Sequence, residues 1–542
     1  MHRHFFLWLL LVALLGLMPA AAEAHAVLVQ SFPSHGQRLD KGPPWMEVRF
    51  NEPVSAAFTP LRVQNSRGER VDLGDSAVDP NDRTRLEVSL SPLPPGLYTA
   101  TYRVTSLDGH PVEGVIAFTV GDVEAPVPER LPGADLPKVP PAVSIVHGLV
   151  QLTAALLAGL TAFLTLVWLP ESGTLPGRRV GRWAAALLLL LLGLGLAEVS
   201  LYAVRASGED WSAGLLLQAL TRTGVGRLWL ARAGLGVAAG AALALSARAR
   251  SVGWRWMLLL PGGGLLLTLS LQSHAVATRE WLPVLADWLH LVAVSPWVGG
   301  LAGFALVLWP LLAAQPAEER DRLLERAVGR FSRLALTAVV LLTATGIYGT
   351  LLHLPGWEAL WTTAYGRSLL LKVLLLLPVL GLAAYNLRRR GQGRFRQAVA
   401  GELALLVAIF VAAGFLTSLP PARVEQALRQ GPFAESVQAG GLTIELTVTP
   451  NRLGFNGATI RLTRPDGTPE QGASAGLRLT MLEHEMGLQN LDAQEAEPGL
   501  YTVGDLALSM DGEWRVEVVV LTRGGREIRY PFQVLVPAPP SP

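Results

Sequence analysis

Apolar residues are distributed along this chain in three regimes. Between Val143 and Ser418 they gather into runs of about 20 residues, the length an α-helix needs to cross a bilayer core. On either side the runs are short and alternate with polar residues. WMEVRFNEPV, TRLEVSL, LYTATYRV and GVIAFTV lie ahead of the long runs; LTIELTVTP, TIRLTRPDG, LRLTML, WRVEVVVL and YPFQVLV lie behind them. Alternation with period two, broken by Pro and Gly, predicts half-buried strands. The pattern therefore predicts a β domain, a helical membrane domain and a second β domain.

The long runs resolve into eight spans, near 143–169, 182–204, 227–248, 255–276, 283–313, 331–353, 367–387 and 399–418. Arginine tests their orientation. Arg178, Arg179 and Arg182 follow the first span, Arg248, Arg250 and Arg255 the third, Arg320, Arg322, Arg326, Arg330 and Arg333 the fifth, and Arg388, Arg389, Arg390, Arg394 and Arg396 the seventh. The alternate loops hold far fewer. Arginine-rich loops face the cytoplasm, which sends both chain ends outward. The N-terminus agrees. Arg3, an apolar run from Phe5 to Met18 and the small-x-small triplet Ala22-Glu23-Ala24 read as a secretory signal peptide, residues 1–24. Cleavage after Ala24 would leave His25 with a free α-amine. Residues 25–121 then form the first β domain, 122–142 a Pro-rich linker of extended character, 143–418 the membrane domain and 435–538 the last β domain. The fold class expected is multi-domain: an N-terminal Ig-like β-sandwich, an eight-helix transmembrane bundle and a C-terminal β-sandwich. The protein is expected in the cytoplasmic (inner) membrane, multi-pass, with both β domains extracytoplasmic.

Composition narrows the chemistry. The chain has 542 residues, half of them hydrophobic, a net charge of +2 and no cysteine. Nothing in that balance points to nucleic acid. Without cysteine, disulfides, thiolate metal sites and cysteine nucleophiles are excluded, so any metal must be held by His, Met, carboxylate, amide or amine. There is no nucleotide-binding motif and no catalytic triad, and the chain is not read as an enzyme.

The strongest candidate site is Asp108-Gly109-His110 together with His25. In extended chain, residues two apart share a face. A terminal histidine adds its amine and its ring, and this nitrogen-rich, oxygen-capped set suits Cu(II). The stretches HAVLVQSFPSHGQRL, VRFNEPV and LDGHPVEGVIAFTV resemble the periplasmic copper-binding CopC family over the whole domain. The resemblance implies that His25, Asp108 and His110 bind Cu(II) and that Glu52, of the F-x-E-P-V segment, lies near the metal. His35 falls outside the matching motif and is read as a surface residue.

Four histidines belong to the membrane region: His147, His274, His290 and His353. The topology places all four in its outer half, with Gln151 one turn below His147 and Glu198 and Lys372 also toward the outside. Ionisable groups in a bilayer usually face a partner or a cavity. Asp287, one turn before His290, is a candidate to orient that imidazole. Pro296, within the fifth span, predicts a kink or local opening. The stretches LADWLHLVAVSPWVGGL, RFSRLALTAVVLLTATGIYG and YGRSLLLKVLLLLPVLGLAAYN resemble the CopD copper-resistance membrane family, which implies passage of copper across the inner membrane.

The two β domains share PGLYT followed at the same spacing by Asp-Gly: PGLYTATYRVTSLDGH from Pro95 and PGLYTVGDLALSMDGE from Pro498. Glu513 replaces His110, so the Cu(II) set is not repeated. Met481, His484 and Met486 offer a softer set suited to Cu(I). In a strand His484 and Met486 share a face while Met481 points away, and a methionine buried in a sandwich core is the other reading. This domain resembles the YtkA-like domains attached to some CopD proteins.

The function expected is extracytoplasmic copper binding and transfer of copper into or across the membrane, with Cu(II) in the first domain and Cu(I) in the membrane and C-terminal domains. Copper ions, bilayer lipid and extracytoplasmic copper chaperones are the partners this reading names. Two rivals stay open on residues alone: a b-type haem redox protein using paired intramembrane histidines, and a copper sensor or chaperone without transport.

Overall fold

The computed structural model describes residues 26, 28–33, 37–50, 52–56, 58–106, 109–123, 139–168, 177–246, 257, 259–273, 281–389, 394–422, 425, 433–449, 451, 454–482, 488–508 and 512–536. The chain divides into two units, one around residues 138–423 and one containing the two β domains.

The first β domain is built from β1 (Leu28–Phe32), β2 (Arg38–Leu39), β3 (Trp45–Phe50), β4 (Leu61–Asn65), β5 (Ala77–Val78), β6 (Arg85–Ser89), β7 (Gly96–Thr105) and β8 (Pro111–Val120). They form two four-stranded sheets, β1-β3-β6-β5 and β2-β8-β7-β4. Alternation predicted this. Met46, Val48 and Phe50 of β3 point inward to meet Tyr98, Ala100, Tyr102 and Val104 of β7 and Ile116, Phe118 and Val120 of β8. Each large apolar side chain buried this way contributes about 1.5–3 kcal/mol over exposure. Tyr98 stacks on Phe118, ring centroids 5.5 Å apart, and its hydroxyl donates to the Pro94 carbonyl at 2.6 Å. This is the tyrosine-corner device, satisfying a buried O–H while pinning the turn into the strand.

The last β domain comprises β9 (Phe433–Ala439), β10 (Leu442–Thr449), β11 (Gly454–Thr463), β12 (Ser474–Met481), β13 (Gln489–Glu497), β14 (Leu500–Leu508), β15 (Gly512–Leu521) and β16 (Glu527–Val536). Two separate sheets are expected from the sequence; the structure has one continuous eight-stranded sheet, ordered β16-β15-β12-β13-β14-β11-β10-β9. The physical reason lies in β13. Its first half pairs with β12, from Ala475↔Ala493 to Leu479↔Gln489, and its second half with β14, from Gln494↔Thr502 to Glu497↔Leu500. A strand that changes partner halfway turns the corner between two layers. The end strands also approach each other, with Phe433 of β9 edge-on to Phe532 of β16, so the sheet is barrel-like. Tyr501, in the second PGLYT, is buried like Tyr98; its hydroxyl accepts from the Ala473 N–H at 3.0 Å and donates to the Glu470 carbonyl at 3.3 Å.

Among the described residues, the other unit holds ten helices: α1 (Pro141–Trp168), α2 (Gly177–Ser207), α3 (Ala213–Arg222), α4 (Gly224–Ser246), α5 (Leu259–Ser270), α6 (Trp281–Leu312), α7 (Ala317–His353), α8 (Ala359–Thr362), α9 (Ala364–Arg389) and α10 (Phe395–Ser418). Among the described residues, six are long and apolar enough to cross a membrane: α1, α2, α6, α7, α9 and α10. The third and fourth expected spans fall on α4 and α5. Arg227 and Arg232 dilute the apolarity of α4, and α5 has 12 described residues. Apolar side chains face outward on the peripheral helices, among them Leu371, Leu374 and Leu377 of α9, as lipid-facing residues must.

α1 is the central helix, packed against α2, α5, α6 and α10. Glycine sets its distances. A Cβ added to Gly159 would lie 1.8 Å from the Ser295 carbonyl oxygen of α6, and one on Gly299 would lie 2.1 Å from the Gly159 carbonyl carbon. The backbones of α1 and α6 therefore touch at a small-residue crossing, the packing that replaces the hydrophobic effect between membrane helices. α6 continues through Pro296 and widens to π-helical geometry over Phe304–Leu308; α1 does the same over Leu164–Trp168.

One expectation concerns the corner strand. The Glu495 carboxylate accepts from the N–H groups of Gly472 and Gly499 at 3.0 and 3.1 Å. Burial alone would push this carboxyl up, but those N–H groups hold it below the ordinary carboxylate range. A depressed carboxyl stabilises the fold above its unfolded value of about 4.3 and loses that contribution as pH falls through the folded value. Glu495→Ala should lower amide-exchange protection of residues 489–502 at neutral pH in the full chain, and the difference from the parent should vanish in acid. Equal protection at neutral pH would contradict this role.

Candidate functional site

The described part of the first-domain site gathers at one end of the sandwich. Leu28, at the start of β1, pairs with Phe50, at the end of β3, and Glu52 follows two residues later. Ser55 exchanges backbone hydrogen bonds with Thr105, both 2.8 Å, so this turn is stitched to the end of β7. Thr105 in turn pairs with Pro111, closing the hairpin whose tip carries Asp108-Gly109-His110. Glu52 is 4% exposed and accepts a hydrogen bond from the Ser106 hydroxyl, which ties the carboxylate to the strand leading into that tip. Gly109 has φ +85°, a left-handed conformation glycine adopts without strain, so the chain turns there immediately before His110. His110 is half-buried immediately before β8. Ala26 is buried in the sandwich core, which anchors the chain where it enters this end of the fold. His25 and Asp108 lie outside the described residues, as do His35, His274, His484 and Met486.

Met481 is placed differently from a solvent-facing ligand. It is buried in the core of the last domain, opposite Trp514 in the β12–β15 register. A thioether there fills apolar space. Among the described residues, no group of three or more His, Asp or Glu side chains converges to hold an ion.

In the helical unit the histidines are not alone. His147 of α1 bonds through Nδ1 to the Glu198 carboxylate of α2. A carboxylate only accepts, so Nδ1 carries the proton, and Nε2, which accepts from an amide N–H, keeps its lone pair. Gln151, one turn along α1, donates to that Nε2 at 3.0 Å and to the Thr417 hydroxyl of α10 at 3.5 Å. The second Glu198 oxygen accepts from Arg232 Nη1 of α4 at 3.3 Å. Arg232 is 2% exposed, and its other N–H groups donate to the Thr268 hydroxyl at 3.2 Å and to Gln272 Oε1 at 3.0 Å. One polar chain thus joins five helices and the α5 C-terminal turn. The imidazole–carboxylate end has the form of the carboxylate–histidine pairs that orient metal-binding histidines.

His290 of α6 is set by the same logic with a different partner. Its Nδ1 lies 2.8 Å from the Thr345 hydroxyl of α7. That hydroxyl donates to the Leu341 carbonyl, also at 2.8 Å, so it receives the Nδ1 proton and Nε2 is again the nitrogen with the lone pair. The Nδ1 bond of His290 therefore runs to Thr345, where the sequence suggested Asp287; Asp287 lies within electrostatic reach of Lys372 and Tyr365. His353 closes α7, its ring edge-on to Tyr365 with centroids 6.0 Å apart. Deeper in the bundle, Asn386 donates to the buried Glu402 carboxyl, which also accepts from Trp297.

Arg232, Thr345 and Glu402 are the residues that the sequence reading passed over. Arg232 and Glu402 carried a signal, an ionisable side chain inside an apolar run. Thr345 carried none.

Comparison with known proteins finds three family matches along the chain. The CopC domain family matches residues 28–121, the "Copper resistance protein D-like, N-terminal domain" family residues 139–284 and the "Copper resistance protein D" family residues 325–416. The chain is 29% identical to the copper transport protein CutJ of Bacillus subtilis, over 97% of this chain and 98% of that one. It is 30% identical to copper resistance protein C of Pseudomonas syringae pv. tomato, over 19% of this chain and 86% of that one. Among solved structures it is similar to CopC from Methylosinus trichosporium OB3b, 30% identical over 18% of this chain and 93% of that one, TM-score 0.17.

Removing the Glu198 carboxylate leaves Arg232 buried without its counter-charge. Glu198→Ala should cost about 3–5 kcal/mol, whereas Glu198→Ala with Arg232→Met should cost much less. Apparent unfolding temperatures of the full chain in detergent test this; equal loss in both variants would mean the pair is not electrostatically coupled.

A CopC domain and a copper resistance protein D region stand in one polypeptide, and the chain belongs to the copper transport and resistance family that contains both.

Proposed function

We propose that this protein captures copper outside the cytoplasmic membrane and passes it inward. On this reading the signal peptide is removed after Ala24. His25, through its amine and ring, then combines with Asp108 and His110 to hold Cu(II), with Glu52 beside the ion. Eight helices, α1, α2, α4, α5, α6, α7, α9 and α10, cross the bilayer, and both β domains stand on the extracytoplasmic side. The linker of residues 122–142 keeps donor and acceptor on one chain, which raises the effective concentration of one for the other. Copper enters the membrane region at its outer-half histidines, His147 and His290 with His274 and His353. The last domain, residues 435–538, is an extracytoplasmic companion, and with Met481 in its core any ligands it offers are His484 and Met486.

The observation that carries this reading is the orientation of His147 and His290. Both imidazoles are held through Nδ1 inside an apolar bundle, which leaves Nε2 as the ligating nitrogen; on His147 a copper ion would take the place of the Gln151 N–H that Nε2 accepts. The CopC match ahead of that bundle supports the choice of ion.

Two measurements test it. Adding one residue before His25 in the secreted, processed protein should cost most of the Cu(II) affinity, because it removes the chelating amine; unchanged affinity would refute amine chelation. Cells carrying the full chain should accumulate radiolabelled copper faster than cells without it, and His147→Ala with His290→Ala should abolish the difference. Accumulation indifferent to those substitutions would refute transfer through the outer histidines.

A further inference from the structure

The helical unit repeats itself. RRVGRW, Arg178 to Trp183 at the start of α2, corresponds to RAVGRF, Arg326 to Phe331 in α7, and the central valines, Val180 and Val328, are both buried. ALTRTGVGRL, from Ala219, corresponds to ALWTTAYGRS, from Ala359. There the likeness extends to atomic detail. Thr223 donates to the Ala219 carbonyl at 2.6 Å and accepts from the Gly226 N–H at 2.9 Å. Thr363 donates to the Ala359 carbonyl at 2.6 Å and accepts from the Gly366 N–H at 2.9 Å. In both places a Cβ on the glycine would strike the same carbonyl, 2.2 Å away in one and 2.0 Å in the other. A short helix, a threonine break and a long helix thus recur as α3–α4 and α8–α9.

Carried outward, this register pairs α1, α2, α4 and α5 with α6, α7, α9 and α10. The first helix of each set carries a histidine, His147 or His290, and widens to π-helical geometry in its last part. The second helix supplies the Nδ1 partner, Glu198 or Thr345, within one residue of the spacing set by the R-x-V-G-R motif. The third carries a basic residue, Arg232 or Lys372, at the same position of the repeat. Arg232 bonds Glu198, and Lys372 lies within electrostatic reach of His290. Four elements thus coincide: histidine, partner, cation and threonine break.

We propose that the membrane region is a tandem duplication of a four-helix unit, and that His147 and His290 are the same copper site present twice, each taking its own ion. This rests on the copper reading above. Four spans per unit return the chain to the side it started from, so the repeats run parallel and share an axis along the membrane normal. The two sites differ in one respect. A carboxylate behind an imidazole raises the basicity of the coordinating nitrogen more than a neutral hydroxyl does, and loss of such a partner typically costs 10–100-fold in metal affinity. The first-unit site, backed by Glu198, therefore binds more tightly than the second-unit site, backed by Thr345.

The test is competition of the purified full chain against a chromophoric Cu(I) chelator under anaerobic conditions, with Cu(I) alone as the probe. His110→Ala is the background, which weakens the first-domain site. His147→Gln should remove the tighter phase and His290→Gln the weaker one, each leaving the other within about threefold, as independent sites do. Glu198→Thr, made with Arg232→Met so that no charge is stranded, should weaken the tighter phase by about 10–100-fold, and Thr345→Glu should strengthen the weaker one. If both histidine variants remove the same phase, the ion is shared and the two-site proposal fails while copper binding in the membrane region stands. If well-folded variants of both histidines leave every phase intact, the copper reading of the membrane region fails with it.

Discussion

A guanidinium inside an apolar helix bundle must be paired, and Arg232 is paired with Glu198. Much of the helical unit is arranged around that requirement. Desolvating either charge alone costs several kcal/mol or more, so the helices that carry them, α4 and α2, cannot drift apart. Glu198 has two oxygens, and the one left over fixes the tautomer of His147. The imidazole then presents Nε2 toward Gln151, which reaches across to α10. A structural obligation on one helix thereby becomes a chemical orientation on another. The second half meets the same need with fewer charges: Thr345 spends its own proton on the Leu341 carbonyl and so has only lone pairs for His290.

The architecture was legible where it follows from solvent preference. Period-two alternation located β3, β7 and β8, and runs of about 20 apolar residues located the membrane helices, because burial acts on every residue of such an element. Less legible was whatever depends on a single pairing. The sequence of β13 does not reveal that Gln489 and Gln494, five residues apart, hydrogen-bond to different strands, and so the corner that makes the last domain barrel-like was missed. The site divides the same way. His147 and His290 stand out as histidines in apolar runs, but their partners come from α2 and α7, more than 50 residues along the chain. Asp287 was the natural choice from sequence because only local neighbours are visible there. Arg232 carries a signal visible in sequence, a guanidinium inside an apolar run.

The two β domains show how little a shared fold device says about a shared site. Both place the tyrosine of PGLYT in the core and use its hydroxyl to lock a turn. That duty is met by backbone carbonyls, which any sequence supplies. The proposed copper site needs particular side chains beyond the following strand, and there the domains part: His110 stands in one and Glu513 in the other. In the first domain Ser106 also holds Glu52 against this end, coupling a buried carboxylate to the tip that carries His110.

The contact between Gly159 and Gly299 has a mechanical meaning. Where two helices meet backbone to backbone, no layer of side chains remains to be compressed or to slide past another. α1 and α6 are pinned there as two levers are pinned at a fulcrum. His147 and His290 lie on the same arm of that lever pair, 12 residues from Gly159 and nine from Gly299 by numbering. The two π-helical stretches lie on the opposite arm. Rocking about the pin would spread one pair of arms as it brings the other together, so the histidine end and the π-helical end would not open at once.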